Sequence, residues 1–121
     1  MAVRHYTDLI AWQKAMDLVV RVHEATEGFP SREHFGLTNQ IRRAAVSVPS
    51  NIAERQGRGT SRDSLRCLFI ASGPLQELET QLIIARRLDH LEASFQPGLF
   101  GLINEVARPI NGLKNSPSHR L

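Results

Sequence analysis

A chain of 121 residues, 41% hydrophobic and 22% charged, fits one globular domain able to bury about two thirds of the surface its unfolded form exposes. Only 6% aromatic residues, with abundant Leu, Ala, Arg and Glu, favour helix over sheet, and the lone Cys67 excludes an intramolecular disulfide and fits a reducing cytoplasm. The formal charge is +3, yet positions 36–76 hold six arginines against Glu54 and Asp63, a local +4 that leaves the rest of the chain at −1, and no apolar run suits a signal peptide or a membrane span.

The first predicted helix covers about residues 7–27, capped by Thr7 and ended by Gly28 and Pro30. Its polar positions Gln13, Lys14, Asp17, Arg21 and Glu24 share one narrow arc. Leu9, Trp12, Ala15, Met16, Leu18, Val19, Val20 and Val22 cover roughly 200°, wider than the ~100° stripe that packing on one core requires. The helix therefore has two faces to bury, Trp12 is expected to be largely buried, and Ala11, Leu18, Val22 and Ala25 on the flank of the arc are the residues expected at a subunit contact, the alternative being a monomer in which helix one packs deeply between two neighbours.

The second helix, about 35–55, turns Leu37, Ile41, Ala44, Ala45, Val48 and Ile52 inward, and Gln56-Gly57-Arg58-Gly59 breaks the pattern. Thr60 and Asp63 read as a capping box for a third helix, about 61–90, with Leu65, Leu68, Ala71, Leu75, Leu78, Leu82 and Ala85 on one face. The fourth, about 95–114, carries Leu99, Leu102, Val106, Ile110 and Leu113 before a polar tail, 115–121. Short links between four helices predict an all-α, antiparallel up-down-up-down four-helix bundle in a single domain.

Pro49, Pro74 and Pro109 fall inside these patterns, each at a cost of about 3 kcal/mol in a regular helix interior. We read them as local kinks accommodated by packing, with Ser47, Ser50 and Asn51 placed to partner the backbone groups that Pro49 frees.

Arg55, Arg58, Arg62 and Arg66 gather at the bend between helices two and three, where guanidinium groups can fork onto phosphate oxygens. The alternative is a solvated helix face partly neutralised by Glu54 and Asp63. No aromatic residue is interleaved, so base stacking is not indicated there. Arg42 and Arg43 lie opposite the turn containing Glu77 once helices two and three fold as a hairpin, which predicts an internal ion pair with Glu77. His5, His23, His34, His90 and His119 show no metal-ligand spacing, Cys67 has apolar neighbours, and the bend lacks the lysine of a phosphate loop. No catalytic, cofactor or metal residue is assigned, and an enzyme is the least supported class.

The stretch from Leu37 to Glu54, Leu-Thr-Asn-Gln-Ile-Arg-Arg-Ala-Ala-Val-Ser-Val-Pro-Ser-Asn-Ile-Ala-Glu, together with Leu75-Gln-Glu-Leu-Glu-Thr-Gln-Leu82, resembles the four-helix-bundle family encoded in bacterial 23S rRNA intervening sequences. The opening Tyr6-Thr-Asp-Leu-Ile-Ala-Trp-Gln-Lys-Ala is similar to that family too, and the likeness runs from Tyr6 to about Leu88. It implies the bundle reached above, a five-fold homo-oligomer, and kinship with the accessory protein of diversity-generating retroelements, where a basic ring surface engages nucleic acid and a reverse transcriptase. Arg43, Ser47, Pro49, Asn51 and Glu54 match the family motif, with an architectural role. Two departures stand out: Arg55 replaces the glycine that usually follows Asn-Ile-Ala-Glu, and Gly73-Pro74 replaces a Gly-Ser pair, so the bend after helix two and the line of helix three are expected to differ.

These readings lead to a cytoplasmic homo-oligomer, a pentamer, that binds RNA or single-stranded DNA with weak sequence preference through Arg55, Arg58, Arg62 and Arg66. The competing class is an oligomeric scaffold that docks a protein partner without touching nucleic acid.

Overall fold

The helical spacing of apolar residues is realised as four α-helices in a computed structural model, which describes residues 5–56 and 61–114, with side chains described within 5–54 and 72–108. They are α1 (Ile10–Thr26), α2 (Leu37–Gln56), α3 (Ser61–Arg87) and α4 (Gln96–Lys114), with short 3-10 turns at Tyr6–Asp8, Ser31–Glu33 and Ala93–Phe95. No strand occurs among the described residues. Each helix packs on two others, α1 on α2 and α4, α3 on α2 and α4, so the four close into a bundle.

The largest fully buried side chains come from every helix: Leu18 and Val22 of α1, Ile41, Val48 and Ile52 of α2, Leu78 and Leu82 of α3, Leu99 and Val106 of α4. Removing this apolar surface from water is the main favourable contribution to folding, at roughly 25 cal/mol per Å². The predicted inward positions of α2 and the described ones of α3 all lie in the core or, for Leu37, against it. Ile103 joins Leu99 and Val106 in the α4 contribution, while Leu102 sits at its edge. Thr60 of the expected capping box lies outside the described residues, as do the side chains of Asp63, Leu65, Cys67, Leu68, Ala71, Ile110 and Leu113. No described helix is long and apolar enough to cross a membrane.

Helix one begins later than expected. Thr7 does not cap it; the chain first makes a 3-10 turn capped by His5, whose ring accepts the Thr7 N–H at 3.4 Å while the Asp8 carboxylate accepts the His5 N–H at 3.2 Å. Leu9 then leads into α1 in extended conformation. Trp12, expected to be largely buried, is half-buried at the margin of the core, with the Tyr6 ring edge-on at 5.5 Å. Helix two also starts later, at Leu37, leaving Phe35 outside it and 91% exposed.

Pro49 and Pro74 are accommodated within continuous helices. The carbonyl that Pro49 leaves without its helical donor is that of Ala45; the Ser47 hydroxyl donates to Ala44, Ser50 to Val46 and the Asn51 amide to Ser47, all at 2.7–2.8 Å, so the expected side chains serve neighbouring carbonyls and not the freed one. The Gly73-Pro74 departure leaves α3 a single helix from Ser61 to Arg87.

The end of α3 is a Schellman motif built without glycine. The His90 N–H bonds the Ala85 carbonyl at 2.9 Å and the Asp89 N–H bonds Arg86 at 3.1 Å, with Asp89 itself at φ 60°. A side chain in the left-handed region costs about 1–2 kcal/mol, less for Asp, which bonds locally. Asp89→Gly is therefore expected to raise stability by about 0.5–1 kcal/mol, seen as a higher urea midpoint with an unchanged slope. The motif directs His90 back onto the α1–α2 link, where its Nε2 lies 3.0 Å from Glu33 Oε2 and its ring 5.8 Å from that of Phe29. Along the flanks, Lys14 pairs with Glu105 at 3.3 Å across α1 and α4, and Arg86 lies over the Phe100 ring at 5.0 Å across α3 and α4.

Candidate functional site

The arginine cluster read from the sequence maps to the junction of α2 and α3. Arg55 occupies the last turn of α2, and Arg62 and Arg66 the first two turns of α3. Arg58 and the side chains of Arg55, Arg62 and Arg66 lie outside the described residues.

The four residues expected at a subunit contact are placed elsewhere. Ala11, Leu18, Val22 and Ala25 all belong to the core of the chain itself, so none offers surface to a second subunit. With Ala15 their 3–4 residue spacing marks the innermost stripe of α1, and the wide apolar arc splits around it. The apolar side chains of α1 that remain exposed are Ile10, Met16 and Val20, the last at 56%. Val20 borders an open groove of about 600 Å³ between α1 and α4, lined also by Asp17 and Arg21 of α1 and by Gly98, Gly101, Leu102 and Glu105 of α4.

Arg42 and Arg43 do not pair with Glu77. They stand 100° apart on α2, so one helix cannot turn both toward α3. Arg42 turns to α1: its Nε–H donates to the Thr26 hydroxyl at 2.8 Å and Nη2 reaches the His23 carbonyl at 3.4 Å. The Thr26 hydroxyl in turn donates to the Val22 carbonyl at 2.8 Å. A cation thus sits at the C-terminal end of α1, where unsatisfied carbonyls and the helix dipole favour it. Arg43 is exposed and shares an open polar cleft of about 360 Å³ with Asn39, Gln40, Ser47 and Glu77. The Glu77 carboxylate instead accepts the Gln81 amide at 3.2 Å.

The turn Ser31–Glu33 carries the chain from α1 to α2 and opens a second polar cleft, of about 410 Å³, at that corner. Thr26 at the end of α1, Glu27, Phe29, Pro30, Ser31 and His34 of the link, and Thr38 and Arg42 of α2 line it. Arg42 is half-buried, and the ion pairs among the described residues, Lys14–Glu105 and His90–Glu33, do not include it. Thr38 is 5% exposed and its buried hydroxyl has no hydrogen-bond partner. The sequence does not announce this corner, because α1 and α2 meet there through a turn whose geometry no periodicity reveals. Its one signal is a first turn of α2 with Thr38 in it and no acidic residue.

Among the described residues, no group of three or more His, Cys, Asp or Glu side chains could hold a metal ion. No curated protein matches the chain significantly. The family model of the 23S rRNA-intervening sequence proteins matches residues 7–112, from the turn before α1 nearly to the end of α4, and the chain belongs to that family.

Proposed function

We propose that this protein is a non-enzymatic, antiparallel four-helix bundle that assembles as a homo-oligomeric ring in the cytoplasm and binds RNA or single-stranded DNA through Arg55, Arg58, Arg62 and Arg66. The observation that carries the reading is the placement of these residues. Because α2 ends at Gln56, α3 begins at Ser61 and the two helices pack on one another, Arg55, Arg62 and Arg66 belong to one end of a helical hairpin, with Arg58 between them in the sequence. The charge of positions 36–76, six arginines against two carboxylates, is concentrated on the same hairpin. Guanidinium groups favour phosphate because their planar fork matches two oxygens. Ile10, Met16 and Val20 support self-association, since they leave apolar surface on the outside of α1.

The test is salt. Phosphate contacts release counterions, so with about four phosphates neutralised per subunit the slope of log affinity against log salt on single strands is expected near −3 for one subunit engaged, and steeper when neighbours join. A scaffold that docks a protein partner through apolar surface shows little such dependence, and no binding to RNA at low salt would favour it.

A further inference from the structure

We infer that the cleft at the α1–α2 corner is a binding site for a phosphomonoester carrying an aromatic base, either a free nucleotide or the 5′-phosphorylated end of a strand, with Arg42 and Thr38 holding the phosphate. The site is separate from the arginine junction and does not rest on that reading. Arg42 and Arg55 are thirteen positions apart on α2, so about 20 Å of helix lies between them.

A half-buried guanidinium without a carboxylate partner is costly unless something compensates it. The C-terminal dipole of α1 supplies the equivalent of about half a charge, and the Thr26 hydroxyl and His23 carbonyl occupy only its Nε and Nη2. Part of the positive charge and further N–H donors remain for an anion. The N-terminal turn of α2 adds to this field, since it carries no acidic residue and its dipole favours negative charge. Glu33, close by on the preceding turn, is already engaged by His90, and the one carboxylate among the lining residues that opposes an anion is Glu27, which is exposed and therefore screened by solvent.

The Thr38 hydroxyl points the same way. A buried hydroxyl left without a partner costs about 1–3 kcal/mol, and this one belongs to the wall of the same cleft as Arg42. The hydroxyl lies just beneath the cleft surface, and a χ1 rotation that turns it outward lets a phosphate oxygen accept from both Thr38 and Arg42. The aromatic residues at the cleft then select what carries the phosphate. His34 lines the cleft, and the almost fully exposed Phe35 ring stands edge-on to it at 4.6 Å, an aromatic surface on which a base can stack. A cleft of about 410 Å³ has room for more than the phosphate alone.

Binding is measured on the full chain by amide chemical-shift titration with inorganic phosphate, adenosine 5′-monophosphate and adenosine at matched ionic strength. Phosphate and the nucleotide are expected to shift Thr38 and Arg42, the nucleotide more tightly, and adenosine alone to do neither. Arg42→Met is expected to weaken nucleotide binding at least about tenfold, as loss of a charge-assisted contact does. Because Arg42 also caps α1, that variant can lose fold. Thr38→Val is the safeguard: it removes an unpartnered hydroxyl, keeps the shape, leaves stability equal or higher, and is expected to weaken binding about three- to tenfold. Arg58→Ala with Arg62→Ala is expected to leave nucleotide binding unchanged, which separates this site from the arginine junction. Tighter binding of a 5′-phosphorylated than of a 5′-hydroxyl oligonucleotide, lost in Thr38→Val, identifies a strand end as the ligand; preference for the mononucleotide identifies a free nucleotide. No shift with phosphate or nucleotide up to about 10 mM, or wild-type affinity in Thr38→Val, overturns the proposal.

Discussion

Leu82→Ala is expected to cost about 2–5 kcal/mol of stability, through lost transfer energy and the cavity left behind. Leu82 is fully buried on α3, in a core to which all four helices contribute. Small domains are stable by only about 5–15 kcal/mol, so this one change removes a large part of the total. Leu88 provides the control, since it lies just beyond the same helix and is 52% exposed. Leu88→Ala is expected to cost less than about 1 kcal/mol. Urea unfolding followed by circular dichroism separates the two, and equal losses would contradict the packing described for α3.

The second large effect concerns binding. Replacing Arg58, Arg62 and Arg66 together with alanine is expected to reduce affinity for single-stranded RNA at least about tenfold and to bring the salt slope from near −3 toward −0.7, because roughly three of four phosphate contacts per subunit go. Helicity and oligomer mass are expected to stay as they were, which a fold-supporting role for these three arginines would not allow. Fluorescence anisotropy across a salt series, with sedimentation as the check on mass, measures both. Affinity equal to the parent would put the scaffold reading in front. Loss of RNA binding with nucleotide binding retained is the pattern expected if the junction and the α1–α2 cleft are separate sites.

Much of the bundle is legible in the amino-acid sequence. The spacing of Ile41, Ala44, Ala45, Val48 and Ile52, and of Leu75, Leu78, Leu82 and Ala85, names the buried stripes of α2 and α3 directly. A 3.6-residue period needs no knowledge of what packs against it. Helix starts are less legible, because the roles of Thr7 and Phe35 depend on local capping: His5 captures the first turn, and the chain stays in turns through Gly36 before α2 begins.

Residue types and their periodicity, which are properties of the chain alone, determined the helical class, the number of helices, the inner faces of α2 and of the described part of α3, and the gathering of arginines in the sequence between them. Tertiary structure decided which neighbour each side chain meets. The apolar arc of α1 is visible in sequence, but only the packing of α2 and α4 against it assigns Leu18 and Val22 to the core and leaves Met16 and Val20 outside. Arg42 is visible as a cation on α2. That it serves the end of α1 at Thr26 and His23, and faces a cleft shared with Thr38, follows from the crossing of two helices, a relation that no local pattern encodes.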